Sequence, residues 1–262
     1  MPMDKQDMDK RPYVLSIAGF DPSAGAGVLS DIKCFEQHQV YGFGICTALT
    51  VQTDASFISC EWMNASQIIA QLKPLMDKFD VRACKVALIK DSSVLLEVIS
   101  YIKSNNQHTK IILDPVLKSS SGFSFHHWDL EGMTAVLTRL DLITPNYQEM
   151  QHMGNSENAE ETARMWSAHC PVLLKGGHNS KAPGTDFLFC ADKAVMAFAI
   201  TWGEVYQKHG SGCVLSAAIT ANLALGFPLD EACRKAKHYT ELFLKSNESL
   251  LGYHSLSPKI NN

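Results

Sequence analysis

Short apolar runs that end in a polar or glycine-rich tip, each followed by a helical pattern, recur along most of this chain. That alternation constrains the fold more than any other feature. The runs cover residues 14–18, 41–53, 83–89, 110–115, 140–146 and 171–178, and helical periodicity fills 28–37, 65–78, 93–104, 129–139 and 158–169 between them. Continuous apolar strands separated by helices predict an open, mostly parallel sheet covered on both faces, an α/β/α architecture. Residues 186–190 and 194–200 read as a hairpin pair at one edge. The alanine-rich run 214–224 reads as a buried helix, and 228–245 as an amphipathic one with Leu229, Ala232, Ala236, Tyr239 and Leu242 inward. In such sheets ligands collect at the carboxyl ends of the strands. Gly19, Gln52, Asp114, Asn146 and Lys175 all stand at those ends.

A chain of 262 residues can bury one sizeable core, and residues 13–250 read as a single domain behind a polar, disordered lead-in at 1–12. The net charge of −4 gives no electrostatic case for nucleic acid or an anionic membrane. No apolar run approaches the roughly 20 residues that span a bilayer. The first residues lack the apolar core of a secretion signal, so a cytoplasmic protein is expected. Eight cysteines are scattered with no C-x-x-C pair, and ten histidines form no H-E-x-x-H cluster. Reduced thiols and no metal cage built by the protein alone are therefore expected.

Chemistry concentrates at 209–213, His-Gly-Ser-Gly-Cys. A glycine turn feeding a helix N-terminus presents amide N–H groups and the positive end of the macrodipole, which suits an anion. Cys213 in the first turn is placed where a thiolate is favoured. The plainer alternative is a helix capped by Ser211 beside an inert cysteine. Lys175, followed by two glycines, suits a phosphate contact. Asn146 and Glu149 either form a capping box or face a hydrated Mg²⁺, which needs only a carboxylate or two besides phosphate oxygens. Asp114 would share that role, largely through water. The polar and aromatic stretch 117–128, with Lys118, Ser120 and Gly122, reads as a lid. The loop 19–27 fits neither G-x-G-x-x-G nor a P-loop, because no Lys-Ser/Thr follows Gly27. Phosphate donors together with acid groups point to phosphoryl transfer.

The motifs Ser16 to Gly27, Asp31-Ile32-Lys33, Tyr41-Gly42, Thr47 to Gln52, Asp114-Pro115-Val116, Thr144-Pro145-Asn146, Lys175 to His178 and His209 to Cys213 occur in this order. Together they resemble the hydroxymethylpyrimidine/phosphomethylpyrimidine kinases of thiamine biosynthesis, within the ribokinase-like superfamily. The resemblance runs from about Tyr13 to Ser246. It implies a three-layer α/β/α ribokinase-like fold, a homodimer, and Mg²⁺-ATP-dependent phosphorylation of an aminopyrimidine alcohol and then of its monophosphate. By motif, Gly19, Ala26, Asp31 and Gln52 would contact the pyrimidine. Asn146, Glu149, Lys175 and Asp114 would serve ATP and Mg²⁺. Gly210, Ser211 and Gly212 would form the anion hole, with Cys213 as base.

Five positions depart from the family pattern. Phe20 and Ala24 stand in the first loop where Ser or Thr and Gly are commoner, and Ala87 replaces a glycine. Ser120 stands where the lid usually has lysine, and Ser211 replaces threonine while keeping the hydroxyl. Pyridoxal kinase, or a kinase acting on both heterocycles, is the alternative reading. A catalytically impaired ligand-binding protein is a further one.

Overall fold

A computed structural model describes residues 11–118, 125, 132–178, 182–200, 203 and 205–256. One nine-stranded sheet runs through it. In chain order the strands are β1 (Tyr13–Phe20), β2 (Tyr41–Gln52), β3 (Phe57–Trp62), β4 (Val81–Val86), β5 (Lys110–Leu113), β6 (Leu142–Ile143), β7 (Val172–Leu174), β8 (Asp186–Phe189) and β9 (Met196–Phe198). Their spatial order is β3-β2-β1-β4-β5-β6-β7-β8-β9. The six strands from β2 through β1 and β4 to β7 pair in parallel. Antiparallel strands close both edges, β3 on one side and the β8–β9 hairpin on the other.

The helices are α1 (Gly27–Gln37), α2 (Ala65–Met76), α3 (Ser92–Asn105), α4 (Met133–Leu137), α5 (Tyr147–Gly154), α6 (Ala159–Trp166), α7 (Ser211–Ala224) and α8 (Leu229–Leu244). Successive strand residues point to opposite faces, and this sorts the core into two layers. Leu15, Ile17, Cys84 and Val86 pack with apolar residues of α2 to α6 on one face. Val14, Ala83, Ile112 and Leu173 pack with those of α1, α7 and α8 on the other. Lys85 follows Ala83 in the same alternation, so an ammonium enters the α1–α7 layer.

Most elements fall where the apolar pattern puts them. The strand at 57–62 has no counterpart in the sequence reading: its Phe-Ile-Ser-Cys-Glu-Trp run is edge-placed and largely exposed, so it carries little apolar signal. Strand β6 shrinks to two residues within the expected 140–146: Pro145 has no N–H to give to the ladder, and pairing resumes only as a single parallel bridge between Asn146 and Lys175. Helix α4 occupies only the end of the expected 129–139, with 126–131 outside the described residues. Helix α7 shows no amphipathic face, and Val214 through Asn222 are all buried. A helix apolar all round belongs inside, and this one lies against β1, β4, β5, α1 and α8.

Candidate active site

Two helix N-termini meet at the carboxyl edge of the sheet. Helix α1 starts at Gly27 behind Ala26, and α7 starts at Ser211 behind Gly210; neither has a side-chain cap. The glycines are required there. Gly27 has φ of +61°, and a Cβ on it would fall 2.2 Å from the Gly19 carbonyl oxygen. Gly210 has φ of +75°, and a Cβ would fall 2.1 Å from the Gly25 carbonyl oxygen. The two turns are therefore in backbone contact, and the positive ends of both helices face one place. Gly210, not Ser211, is the N-cap, so the plainer reading of a serine-capped helix does not hold.

Asp21 ties the turns together. Its carboxylate accepts from the amides of Ser23 and Ala26, each at 2.9 Å, and lies 2.9 Å from His209 Nε2. Burial alone would raise this carboxyl, but His209, Ser23 and the loop amides hold it below the ordinary value.

A cavity of about 80 Å³ opens beside this junction. Gly19, Ala26 and Gln52 line it, as do Gly210 and Cys213. Thr50, Ala87, Leu88 and Val116 add an apolar wall, and Lys118 and Phe125 stand at the rim. Gln52 donates from Nε2 to Thr50 Oγ1 at 2.9 Å. Phe125 meets Phe57 and Trp62 of β3 edge-on, with ring centroids 5.0 and 6.2 Å apart. Of the expected lid residues, Lys118 is exposed, while Ser120 and Gly122 lie outside the described residues.

Beneath the cavity run two ion pairs. Lys85 Nζ bonds Asp31 Oδ1 at 2.5 Å and the Cys213 carbonyl at 3.0 Å; both side chains of the pair are fully buried. Burial pushes the Asp31 carboxyl up, with Lys85 pulling it back. Burial alone would lower Lys85, yet Asp31 holds it above the ordinary lysine value and protonated. Asp31 also accepts from Ser16 Oγ at 2.6 Å. It is absent from the cavity wall, which corrects the expectation that it touches substrate: its oxygens brace α1 and α7 against β1 and β4.

The second pair is Lys175 with Asp114, 2.6 Å apart. Asp114 accepts from Ser216 Oγ at 2.9 Å and from Thr144 Oγ1 at 3.2 Å. Burial opposes ionisation of Asp114, but Lys175 and Lys85 hold its carboxyl below the ordinary value. Lys175 Nζ also reaches to 3.9 Å of Glu149. A Cβ on Gly212 would lie 3.4 Å from the same nitrogen, so Lys175 stands against the first turn of α7. Asn146 and Glu149 form a full capping box at the start of α5, with bonds of 2.7 and 2.8 Å. Burial pushes the Glu149 carboxyl up to about 7, Asp114 adding to the rise and Lys175 opposing it.

Cys213 is half-buried on the cavity wall. Its thiol is pushed up, not down as expected for a helix N-terminus. Burial dominates and Asp114 and Asp31 add to it, outweighing Lys85 and the Gly27 amide. The sequence reading missed Lys85, Ser216 and the His209–Asp21 pair. Lys85 was detectable, since a charge inside a buried strand must find a partner; the other two depend on contacts distant in sequence.

An open α/β sheet with two uncapped helix N-termini, a lysine and carboxylates at its carboxyl edge fits a phosphotransferase of the ribokinase-like fold. The chain belongs to the phosphomethylpyrimidine kinase family, which matches residues 21–257. The hydroxymethylpyrimidine/phosphomethylpyrimidine kinase of Rhizobium meliloti (strain 1021) is 32% identical over 247 residues, covering 90% of this chain and 91% of the relative. The phosphomethylpyrimidine kinase of Clostridium difficile 630 superposes with a TM-score of 0.73 at 27% identity, over 88% of this chain and 98% of that one. A Bacillus subtilis pyridoxal kinase in complex with ADP shares the fold, with a TM-score of 0.81 at 24% identity over 97% and 100% of the two chains.

Proposed function

We propose that this enzyme transfers the terminal phosphoryl group of ATP to the hydroxymethyl oxygen of 4-amino-5-hydroxymethyl-2-methylpyrimidine, and then to the phosphate of the product. The observation that carries this reading is the cavity itself, whose wall includes Gln52, Gly210 and Cys213. Gln52 offers a donor and an acceptor to an aminopyrimidine edge, and Gly19 and Ala26 leave room for a flat ring. Cys213 Sγ takes the hydroxyl proton as the acceptor oxygen bonds to phosphorus. The bond from that phosphorus to the bridging oxygen breaks, and ADP leaves. Amides of Gly210, Ser211 and Gly212 receive the charge of the transferring group. Lys175 meets the ATP phosphates. A thiol held above its ordinary value is a minority thiolate at neutral pH, so turnover rises as the pH is raised.

Among the described residues no group of three or more His, Cys, Asp or Glu side chains is placed to hold a metal ion by itself. The oxygens of Glu149 and Asp114 suit Mg²⁺, a hard cation that water and phosphate oxygens would complete. Bound there, Mg²⁺ would neutralise phosphate charge; Asn146 would hold Glu149 in place. All eight cysteines are free, which fits a reducing cytoplasm. Leu49, Val51 and Ile58 are exposed on β2 and β3 and fit a homodimer contact, which sedimentation would test. The single sheet supports reading 13–250 as one domain.

Coupled ATP turnover on the pyrimidine alcohol, its monophosphate and pyridoxal tests the assignment. A preference for pyridoxal of about tenfold, some 1.4 kcal/mol, would overturn the substrate. Cys213→Ala is expected to cut turnover by about a hundredfold or more while ATP binding stays near normal; full turnover would remove Cys213 as base.

A further inference from the structure

Helix α8 ends at Leu244, and the chain then doubles back under the active-site turn. Lys208, next to His209, is 4% exposed, rare for a lysine. Its ammonium donates to the carbonyls of Asn247 and, at 2.7 Å, of Ser249. One residue on, the His209 amide donates to the Leu250 carbonyl at 2.9 Å. The returning segment is itself folded: Asn247 Nδ2 donates to the Leu251 carbonyl at 3.0 Å, and the Tyr253 amide to Ser246 Oγ at 2.8 Å. Leu251 and the His209 ring both press on Gly25, where a Cβ would lie 2.9 and 2.6 Å from them. His254 then bonds the Tyr239 hydroxyl at 2.8 Å, anchoring the far end on α8.

We propose that Lys208 is a positioning residue, clamping residues 247–250 beneath the turn so that Gly210 and the His209–Asp21 pair are fixed against the cavity. A charged donor buried on two carbonyls holds its geometry tightly. The strap supports the same two turns that supply Ala26, Gly27 and Gly210 to the cavity wall. The catalytic consequence rests on the kinase reading; the clamp itself does not.

Lys208→Met keeps the stem and removes the donors. In the full chain it is expected to lower kcat about 10- to 100-fold, the cost of misplacing reacting groups by a fraction of an ångström to an ångström, with KM for ATP changed less than about twofold. Lys208→Arg, which keeps the charge and donors, is expected to recover most of the loss. Hydrogen exchange should speed up both at 247–254 and at 208–213 while α3 stays protected. Leu251→Ala loosens the same strap from its other side and should lower kcat in the same direction should Lys208→Met not fold. Faster exchange confined to 247–254, or an unchanged kcat in Lys208→Met, overturns the proposal. If the unmodified enzyme phosphorylates neither pyrimidine nor pyridoxal, the kinase reading fails, and exchange at 208–213 still decides the clamp.

Discussion

The two ion pairs under the cavity have the same chemistry and opposite access. Lys85 and Asp31 are sealed from solvent entirely, whereas the Lys175 side chain is 13% exposed and its partner Asp114 1%. Both reach α7: Lys85 through the Cys213 carbonyl, Asp114 through Ser216. The sealed ammonium has no path to a ligand, so it can only brace α1 and α7 on the sheet. The open one lies beside Gly212 and Glu149, and on the proposed kinase reading it would share its charge between Asp114 and an arriving phosphate. A buried pair is thus a fixture or a binding element according to which of its atoms can meet a ligand.

The largest effect should come from the sealed pair. Lys85→Met strands the Asp31 carboxylate, and breaking a buried pair costs about 3–5 kcal/mol; chemical denaturation reads this. Replacing both partners, Lys85→Met with Asp31→Leu, should recover most of that stability, because a well-packed apolar pair can match a buried ionic one. A single variant that unfolds no more easily than the parent would break the distinction. At the open pair the loss should fall on catalysis. Lys175→Met is expected to lower kcat by about a hundredfold, near 2.7 kcal/mol of transition-state stabilisation. Steady-state turnover with ATP checks it, and an unchanged rate would make Lys175 a second fixture.

The sheet was legible because its parallel strands are buried on both faces and carry continuous apolar runs. Gln52 and Lys175 were legible because they stand where such a run stops at a polar tip, and Gly210 because a glycine turn there precedes a buried apolar helix. Strand β3 was not, since an exposed edge strand need not be apolar. Asp31 misled because a carboxylate in the first turns of a helix looks alike whether it faces a ligand or a lysine. Its partner is 54 residues away, and no local pattern encodes that distance. The shift of Cys213 was hidden for the same reason: the helix end is visible in sequence, whereas the burial and the two carboxylates that outweigh it are not.

A third pairing, Asp21 with His209, joins the two turns and should respond to acid. Asp21 is held below its unfolded value near 3.8. Its contribution is therefore fully present above that value and lost as the pH falls through the lower, folded one. Asp21→Asn is expected to cost about 1–2 kcal/mol at pH 7. The gap to the parent should narrow as denaturation is followed from pH 7 to pH 3. A constant gap would mean that Asp21 acts through shape and not charge.

The smallest effect concerns Ala24, in the loop that Asp21 caps. Its φ is +56°, a left-handed conformation that costs a residue with a Cβ about 1–2 kcal/mol. Glycine removes that strain but gives the unfolded chain more freedom, worth about 0.5–1 kcal/mol. Ala24→Gly should therefore stabilise by about 0.5–1 kcal/mol net, raising Tm by about 1–4 °C for a chain of this size. The backbone bond from Ala24 to Asp21, 3.0 Å, and the Lys33 ammonium on the Ala24 carbonyl, 2.9 Å, both survive the change. Turnover should stay within about twofold, since no cavity-lining side chain is altered. If stability rose while kcat fell, the strain would be holding the α1 turn in its working position. The loop would then belong with the open pair as part of the site, not with the sealed pair as its support.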